Sequence, residues 1–170
     1  MQTIVATALL SLVLTLGPAT GWAKGKGGWG ATGTAQWWTL VEPDQVPWQD
    51  APPSLPPGAK VAILEGDPSK DGLFTMRLKL PDGYKVAPHW HPKTERLTIL
   101  QGVVHLGTGD HFDAAAAKAL PAGTYSSMPP KMVHFAWMEG ETILQLSSIG
   151  PWQVIYANPA DDPRRAASNR

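Results

Sequence analysis

The sequence predicts an all-β domain, and three observations lead to that expectation. Glycine and proline each occur 17 times in 170 residues while charged residues make up 16%, a composition typical of many short strands joined by turns. From residue 59 onward, short apolar or alternating segments are separated by clusters of Gly, Pro and Asp. Only one stretch, at 113–120, indicates a helix. The length fits a single domain.

Charge and cysteine content narrow the possible functions. The chain has 14 basic and 14 acidic residues, so its formal net charge is zero and we expect neither nucleic acid nor an anionic membrane as a partner. Cysteine is absent, which excludes disulfides, thiolate metal ligands and a cysteine nucleophile. Nitrogen and oxygen atoms must therefore hold any metal ion.

Residues 1–23 have the pattern of a signal peptide. They carry no charged side chain, and the apolar run from Ile4 to Leu16 is shorter than the roughly 20 residues that a membrane-spanning helix needs. We expect cleavage after about Ala23, export to the periplasm or the medium, and no membrane attachment after cleavage. An uncleaved amino-terminal anchor is the alternative, and either reading places the domain outside the cytoplasm.

Residues 24–57 form a Gly/Pro/Trp-rich linker and an N-terminal arm. The glycine-rich part at 24–33 indicates a flexible linker, and 35–41 indicates an edge strand or an arm. The neighbouring side chains of Trp37 and Trp38 would point to opposite faces of a strand, so one needs cover from its own domain or from a second subunit.

A barrel domain is predicted over 58–158, followed by a polar tail over 159–170. Asp113 is the candidate N-cap of the one helical insertion. Residues 139–141 are predicted to turn between two strands. The short strands are expected at 61–64, 73–80, the His-x-His segment, 96–100, 103–106, 124–128, 134–138, 142–147 and 152–156.

Most of the side chains that could bind a metal ion lie between residues 83 and 102. His89 and His91 are one residue apart on an extended segment, so their side chains share a face and can share one ion. Extended chain would carry Glu95 about 13 Å away from His91, at roughly 3.3 Å per residue. The segment 92–94 must therefore turn, which Pro92 favours, and Glu95 then begins a returning strand that ends at Gly102.

The first segment resembles the first motif of the cupin superfamily. That motif reads Gly, five residues, His-x-His, three or four residues, Glu, six residues, Gly. It is matched without a gap at Gly83, His89, His91, Glu95 and Gly102.

The second cupin motif is matched in part. It reads Gly, five residues, Pro-x-Gly, two residues, His, three residues, Asn. Gly123, Pro129 and His134 fit this pattern, whereas Lys131 stands in the place of its glycine and Met138 in the place of its asparagine.

The resemblance, which covers about 58–158, implies a double-stranded β-helix, or jelly-roll barrel, with a metal ion in its mouth. His89, His91, Glu95 and His134 are the implied metal ligands. Three neutral imidazoles and one carboxylate leave a site charge of about plus one and two open positions, which permits Lewis-acid chemistry, an activated water or dioxygen binding. From strand alternation, we expect the mouth to be lined by Met76, Leu78, Ile99 and Leu144.

The cofactor is expected to be one divalent metal ion. The signal carries no twin-arginine pair, so the chain would cross the membrane unfolded and load its metal outside. We therefore expect zinc, manganese or copper before iron or nickel.

Other candidate residues carry weaker signals. His105 and His111 lie outside the motifs and are expected at the surface, and Trp90 faces away from the metal. Arg77 and Lys131 could anchor an anion but fit a solvated strand face and a turn tip better. An acid or base could come from three tyrosines, which the sequence does not distinguish: Tyr84, Tyr125 and Tyr156.

Two functions remain open from the sequence. The first is a metal-dependent cupin enzyme of the dioxygenase, isomerase or lyase type, acting on a small oxygen-containing molecule. The alternative is a non-catalytic exported domain that binds a metal or a small ligand and acts as a sensor or store. No catalytic or substrate-binding residue is selected. The resemblance implies a homodimer and a small-molecule partner.

Overall fold

The structure is a computed structural model that describes residues 38–168, with side chains described to residue 165. The predicted signal peptide, the glycine-rich linker and Trp37 lie outside the described residues, so their boundaries stay predictions. The described strands are β1 Gln49–Asp50, β2 Lys60–Glu65, β3 Gly72–Leu80, β4 Lys85–Trp90, β5 Glu95–Thr108, β6 Lys118–Pro121, β7 Tyr125–Met128, β8 His134–Gly150 and β9 Ile155–Tyr156.

All strand pairs are antiparallel, and the nine strands form one curled sheet. The hydrogen-bonded order is β1-β2-β3-β8-β4-β9, and β5 pairs with β6, β7 and β8. The first half of β8 lies between β4 and β5, and its second half lies between β3 and β5. The predicted all-β fold is confirmed, and β5 with β8 forms its spine.

The two longest strands were each expected as two shorter ones. Gly102 was predicted to end a strand, but β5 continues through it with a register shift, and Gly102 has a φ of 74°. Residues 139–141 were predicted to form a turn, yet they lie within β8. Gln101 pairs with Ile143 and Val103 with Glu139. Between these two pairs, β8 has three residues and β5 has only one. The turn-forming residues therefore make a bulge that bends a continuous strand.

The predicted helix at 113–120 is wrong. Asp113 caps only a single turn, in which its carboxylate accepts a hydrogen bond from the Ala115 N–H at 2.9 Å. The alanines that follow are largely exposed and bury no apolar face, so a helix would gain no tertiary support. Residues 118–121 instead pair with 103–106 as strand β6. The only α-helix of the described residues is α1, Pro163–Ser168.

The arm also differs from its prediction. Residues 38–42 form no strand, and Trp38 is 56% exposed, so it does not cover the barrel. Trp48 is half-buried beneath the Lys79 ammonium, which lies 4.9 Å from its ring centre. Only 155–156 of the predicted strand 152–156 pair as a strand. No helix among residues 38–168 has the length and apolar character to cross a membrane.

Candidate metal centre

Backbone register brings the two motif segments together. His89 lies on β4 directly opposite His134, the first residue of β8. His91 follows the last residue of β4, and Glu95 opens β5 after a bend at 92–93. The Lys131 N–H donates a hydrogen bond to the His91 carbonyl at 2.9 Å, which ties the loop before His134 to the first segment. All four predicted ligands are therefore at one place in the barrel.

The three histidines form a compact group that can hold a metal ion. One ring nitrogen of each lies within 4.8 Å of the others, and all three residues are buried. The ring centres of His89 and His134 are 4.3 Å apart, and that of His91 lies 4.9 and 5.3 Å from them. Within the part of the chain that is described, no other group of His, Asp or Glu side chains has this character.

Backbone carbonyls set the tautomer of each imidazole. The Nδ1 atoms of His89, His91 and His134 lie 2.8, 2.7 and 3.0 Å from the carbonyl oxygens of Ala87, Gln153 and Met132. A carbonyl oxygen can only accept, so each Nδ1 carries a proton and donates it. The three Nε2 atoms are thereby left with lone pairs, which is the arrangement that orients histidines as metal ligands.

Glu95 lies beside two of these nitrogens. Its Oε2 atom is 3.4 Å from His91 Nε2 and 3.3 Å from His134 Nε2, and the carboxylate is buried. Both Glu95 Oε2 and His91 Nε2 lack a hydrogen-bond partner although they are fully enclosed. Buried polar atoms without partners are rare in folded proteins because they are costly. A cation between them would satisfy both atoms.

The charges of the site favour a cation. Burial alone would raise the pKa of Glu95, but without an ion a proton on Nε2 of His134 or His91 would outweigh burial and hold that pKa well below its usual range. Burial lowers the pKa of His89 to about 3, so its ring is neutral at physiological pH. Burial also acts to lower the pKa of His134, yet the Glu95 carboxylate raises it overall. A metal ion would displace any proton on His134.

The residues present therefore fit a divalent metal ion. His89, His91 and His134 would hold it through Nε2, and Glu95 would supply a carboxylate oxygen. Nitrogen and oxygen donors of this kind suit zinc, copper, iron and manganese. The donor set does not select one metal among them.

The metal centre opens into an apolar cavity. The volume open to the centres of water molecules is about 70 Å³, enough for several waters or one small ligand. Fourteen of its 18 lining residues are apolar, and the other four are His89, His91, Glu95 and His134. The predicted ligands are thus the only polar side chains on this wall.

The predicted lining is largely correct. Met76, Leu78 and Leu144 line the cavity, whereas Ile99 is buried elsewhere in the core. Leu55 and Trp152 are among the lining residues that the sequence did not single out. Trp152 stacks on the His91 ring at 4.0 Å and 18°, and a tryptophan just before the last strand was the available signal.

None of the three candidate tyrosines lines the cavity. The Tyr84 hydroxyl donates to the Pro56 carbonyl at 2.5 Å, and the Tyr156 hydroxyl donates to the Ser54 carbonyl at 2.9 Å. Burial raises the pKa of Tyr84 far above its usual value and that of Tyr156 to about 12, so neither is poised to exchange a proton. Tyr125 is 61% exposed.

The remaining candidates also lie outside the cavity. His105 was expected at the surface but is half-buried, stacked on Trp137 at 3.7 Å. His111 is exposed beside Asp110, as expected. The Arg77 Nε donates to Gln145 at 3.2 Å on the outer strand face. Lys131 is exposed at a turn, and Trp90 is half-buried without lining the metal cavity.

Comparison with known proteins identifies a family and a fold. Residues 38–155 match the family described as Domain of unknown function (DUF4437). Among solved structures, an RmlC-like cupin from Shewanella frigidimarina NCIMB 400 is 19% identical with a TM-score of 0.50, over 65% of this chain and 88% of that one. No curated protein matches the sequence.

Two further structures are named as enzymes. The polyketide cyclase RemF from Streptomyces resistomycificus is 13% identical with a TM-score of 0.58, over 77% of this chain and 93% of that one. A putative acetylacetone dioxygenase from Methylibium petroleiphilum PM1 is 21% identical with a TM-score of 0.56, over 73% of this chain and 83% of that one. Similarity at these identities shows a common fold.

Proposed function

The chain belongs to the DUF4437 family and has the fold of a cupin, and from that premise we propose that it is a metal-dependent enzyme. Its substrate is a small molecule with an apolar body and an oxygen function. The observation that carries this proposal is the cavity wall, whose only polar side chains are the four predicted metal ligands. A bound divalent ion would supply either Lewis-acid polarisation of an oxygen atom or, if redox-active, dioxygen chemistry.

The apolar wall limits the class of substrate. A sugar or other polyhydroxylated molecule would lose its hydrogen bonds to water here and find no replacement, which costs roughly 1–3 kcal/mol for each unsatisfied group. A small ketone, enol or similar compound would bury its carbon skeleton against residues such as Met138 and Leu146. Its oxygen would then lie at the metal end of the cavity, beside the histidines.

The wall also limits the type of reaction. A lyase or isomerase that moves protons needs a general base within hydrogen-bond reach of the substrate. Among the lining residues, only His89, His91, Glu95 and His134 can titrate, and all four are assigned to the ion. The tyrosines that could have served instead donate their hydroxyl protons to backbone carbonyls. Dioxygenase-type chemistry with a redox-active metal is therefore favoured, and the expected export favours manganese or copper as that metal.

The chain's own residues hold the site rigid and dry. The carbonyls of Ala87, Gln153 and Met132 fix three imidazole orientations. The Trp152 ring lies flat on His91 and limits its rotation. The apolar wall excludes water from the substrate, which strengthens electrostatic interactions within the cavity.

The similar folds agree with this substrate class without establishing it. One is named a putative acetylacetone dioxygenase and another a polyketide cyclase. Acetylacetone is a small apolar dicarbonyl compound, and it is the first probe that we would test.

The test combines metal content with oxygen uptake. Elemental mass spectrometry is expected to find about one ion per chain in the parent and in His105→Ala, a control outside the cavity, and little in a His91→Ala/His134→Ala double variant. An oxygen electrode should record uptake with acetylacetone or a related small ketone in the parent and the control only. A parent that holds no metal even after reconstitution would refute the metalloenzyme proposal.

A non-catalytic metal- or ligand-binding domain is the second candidate. The small volume of the cavity favours this role. A metal-loaded protein that binds small ketones, seen as a shift of the metal's absorption bands, and turns over none of them would support it.

Export and self-association belong to the same proposal. The apolar, uncharged run at 1–23 supports a cleaved signal peptide and a periplasmic or secreted protein. The intact mass of the mature protein would show whether cleavage occurs near Ala23. A homodimer is proposed on the resemblance to cupins alone, and light scattering of the purified protein would test it.

A further inference from the structure

Of two surface clefts compared with the metal cavity, one shares lining residues with it and the other does not. The cleft that shares them, here the outer cleft, has a volume of about 270 Å³. It is lined on its inner side by five residues that also line the metal cavity: Leu55, Met76, Leu78, Trp152 and Val154. The second cleft lies beside Ala157 and Asn158, has a volume of about 610 Å³ and shares no lining residue with the cavity.

Most of the shared wall is held firmly. Met76 and Leu78 lie on β3, which is paired on both sides. Trp152 stacks on His91, meets Phe74 edge-on at 5.8 Å, and donates its backbone N–H to Pro68 at 2.7 Å. Moving this indole would break both ring contacts, and the backbone hydrogen bond holds the residue itself in place.

Leu55 is held in a different way. It is half-buried on residues 51–57, here the strap, where only the Ala51 N–H continues the pairing of β1, to the Ala59 carbonyl at 3.1 Å. Two side-chain hydrogen bonds secure the strap, from Tyr84 to Pro56 and from Tyr156 to Ser54. Within the strap, the Leu55 N–H also donates to the Pro52 carbonyl at 3.0 Å. Opening a segment that only three hydrogen bonds join to the rest of the domain costs far less than separating paired strands. Leu55 is thus the part of the shared wall that can move.

On the premise of the metal-dependent function above, we propose that ligands reach the metal cavity through the outer cleft and that Leu55 controls their passage. Displacement of the Leu55 side chain joins the two spaces. The outer cleft carries polar side chains, including Ser54, Gln153 and Arg164, whereas the metal cavity is apolar apart from the ligands. A ligand therefore loses its remaining water as it passes Leu55. Leu55 also limits the length of ligand that the cavity accepts.

The absence of cysteine permits a direct test of the route. In Ser54→Cys the introduced thiol is the only one of the chain and lies in the outer cleft, and in Ala157→Cys it lies in the second cleft. Each protein is loaded with Co²⁺, and the rate at which acetohydroxamate binds the ion is measured from its visible absorption. The measurement is repeated after the thiol is capped with benzyl methanethiosulfonate.

The route predicts different results for the two clefts. Capping at residue 54 should slow acetohydroxamate binding by about tenfold or more, corresponding to at least 1.36 kcal/mol at the barrier, and removal of the cap should restore the rate. Capping at residue 157 should leave the rate unchanged. Equal rates before and after capping at residue 54, or slowing only at residue 157, would overturn the route. A parent that binds no Co²⁺ would instead overturn the metal-dependent function itself, and the route with it.

Two leucine variants distinguish an effect of Leu55 on ligand entry from an effect of cavity volume on the binding rate. Leu55 lines both spaces, whereas Leu106 lines the metal cavity alone. Leu55→Ala should speed acetohydroxamate binding severalfold, and Leu106→Ala, which removes the same atoms, should not. Equal acceleration in both variants would show that cavity volume governs the rate and would overturn the role of Leu55.

Discussion

Residues 83–102 and 123–138 supply the candidate ligands of one site, yet they match the cupin motifs to different degrees. The first segment matches its motif at every position and contributes His89, His91 and Glu95. The second keeps His134 but has Lys131 and Met138 where the motif has glycine and asparagine. Both segments nevertheless deliver buried side chains to the same point.

Lys131 shows how the second segment keeps its backbone path. Its φ is 65°, the left-handed region that glycine adopts without cost and that few other residues enter. In this conformation its N–H reaches the His91 carbonyl at 2.9 Å. The hydrogen bond and the register of β4 with β8 therefore place His134 even though the glycine is missing.

Met138 shows a different kind of departure. It is 2% exposed and lines the apolar cavity beside residues such as Leu144. An asparagine here would need polar partners that this wall does not offer. The geometry of the candidate ligands therefore depends on backbone register, whereas the residue at 138 sets the polarity of the cavity.

The largest expected effect comes from removing one ligand from each segment in turn. His91→Ala and His134→Ala should each lower metal affinity by more than the roughly 10–100-fold that loss of an outer hydrogen-bond partner costs, because a ligand itself is lost. Competition with a chelator measures the affinity. His105→Ala is the matched control and should bind as the parent does. A large loss in only one of the two ligand variants would show that the segments do not contribute equally.

The glycines of the two segments provide the second test. A Cβ at Gly102 would lie 2.5 Å from Thr142 Oγ1 and 2.7 Å from the Glu141 carbonyl, whereas a Cβ at Gly123 would meet nothing within 4 Å. Both have positive φ, 74° and 88°. We expect Gly123→Ala to lower the free energy of unfolding by about 1–2 kcal/mol and Gly102→Ala by about 3 kcal/mol or more. Urea denaturation would measure both, and equal losses would contradict the close approach at Gly102.

Replacing Met138 by the asparagine of the second cupin motif should destabilise the fold. Met138→Asn places an amide in an apolar wall and removes buried methylene groups, so the free energy of unfolding should fall by about 2–4 kcal/mol. Met138→Leu keeps the volume and should cost less than about 1.5 kcal/mol. Thermal unfolding of the two variants measures the difference. An asparagine variant as stable as the leucine variant would mean that the amide finds a partner.

The smallest expected effect is a gain in stability on replacing Lys131 by glycine. Lys131→Gly should raise the free energy of unfolding by about 0.5–1 kcal/mol, because relief of the left-handed strain exceeds the entropy that glycine adds to the unfolded chain. Lys131→Ala keeps the Cβ and should give no gain. If alanine stabilises as much as glycine does, the charge of Lys131 and not its backbone is responsible.

Much of the site could be predicted because its signals are local. The period-two spacing of His89 and His91 and the need for a turn before Glu95 depend on a few neighbouring residues. His134 followed from its place in the second motif. The strand ends were less predictable, since Gly102 and Gly140 indicate turns in sequence but lie at bulges within β5 and β8.

By itself, the sequence determined the class of fold, the four candidate ligands, and a donor set of nitrogen and oxygen. Only the tertiary structure decided that these four candidates are the sole polar side chains among the residues lining an apolar cavity, and that Leu55 and Trp152 line both this cavity and the outer cleft. The reason is distance along the chain. Leu55 and Trp152 are nearly a hundred residues apart and meet only when strands distant in sequence pair across the sheet.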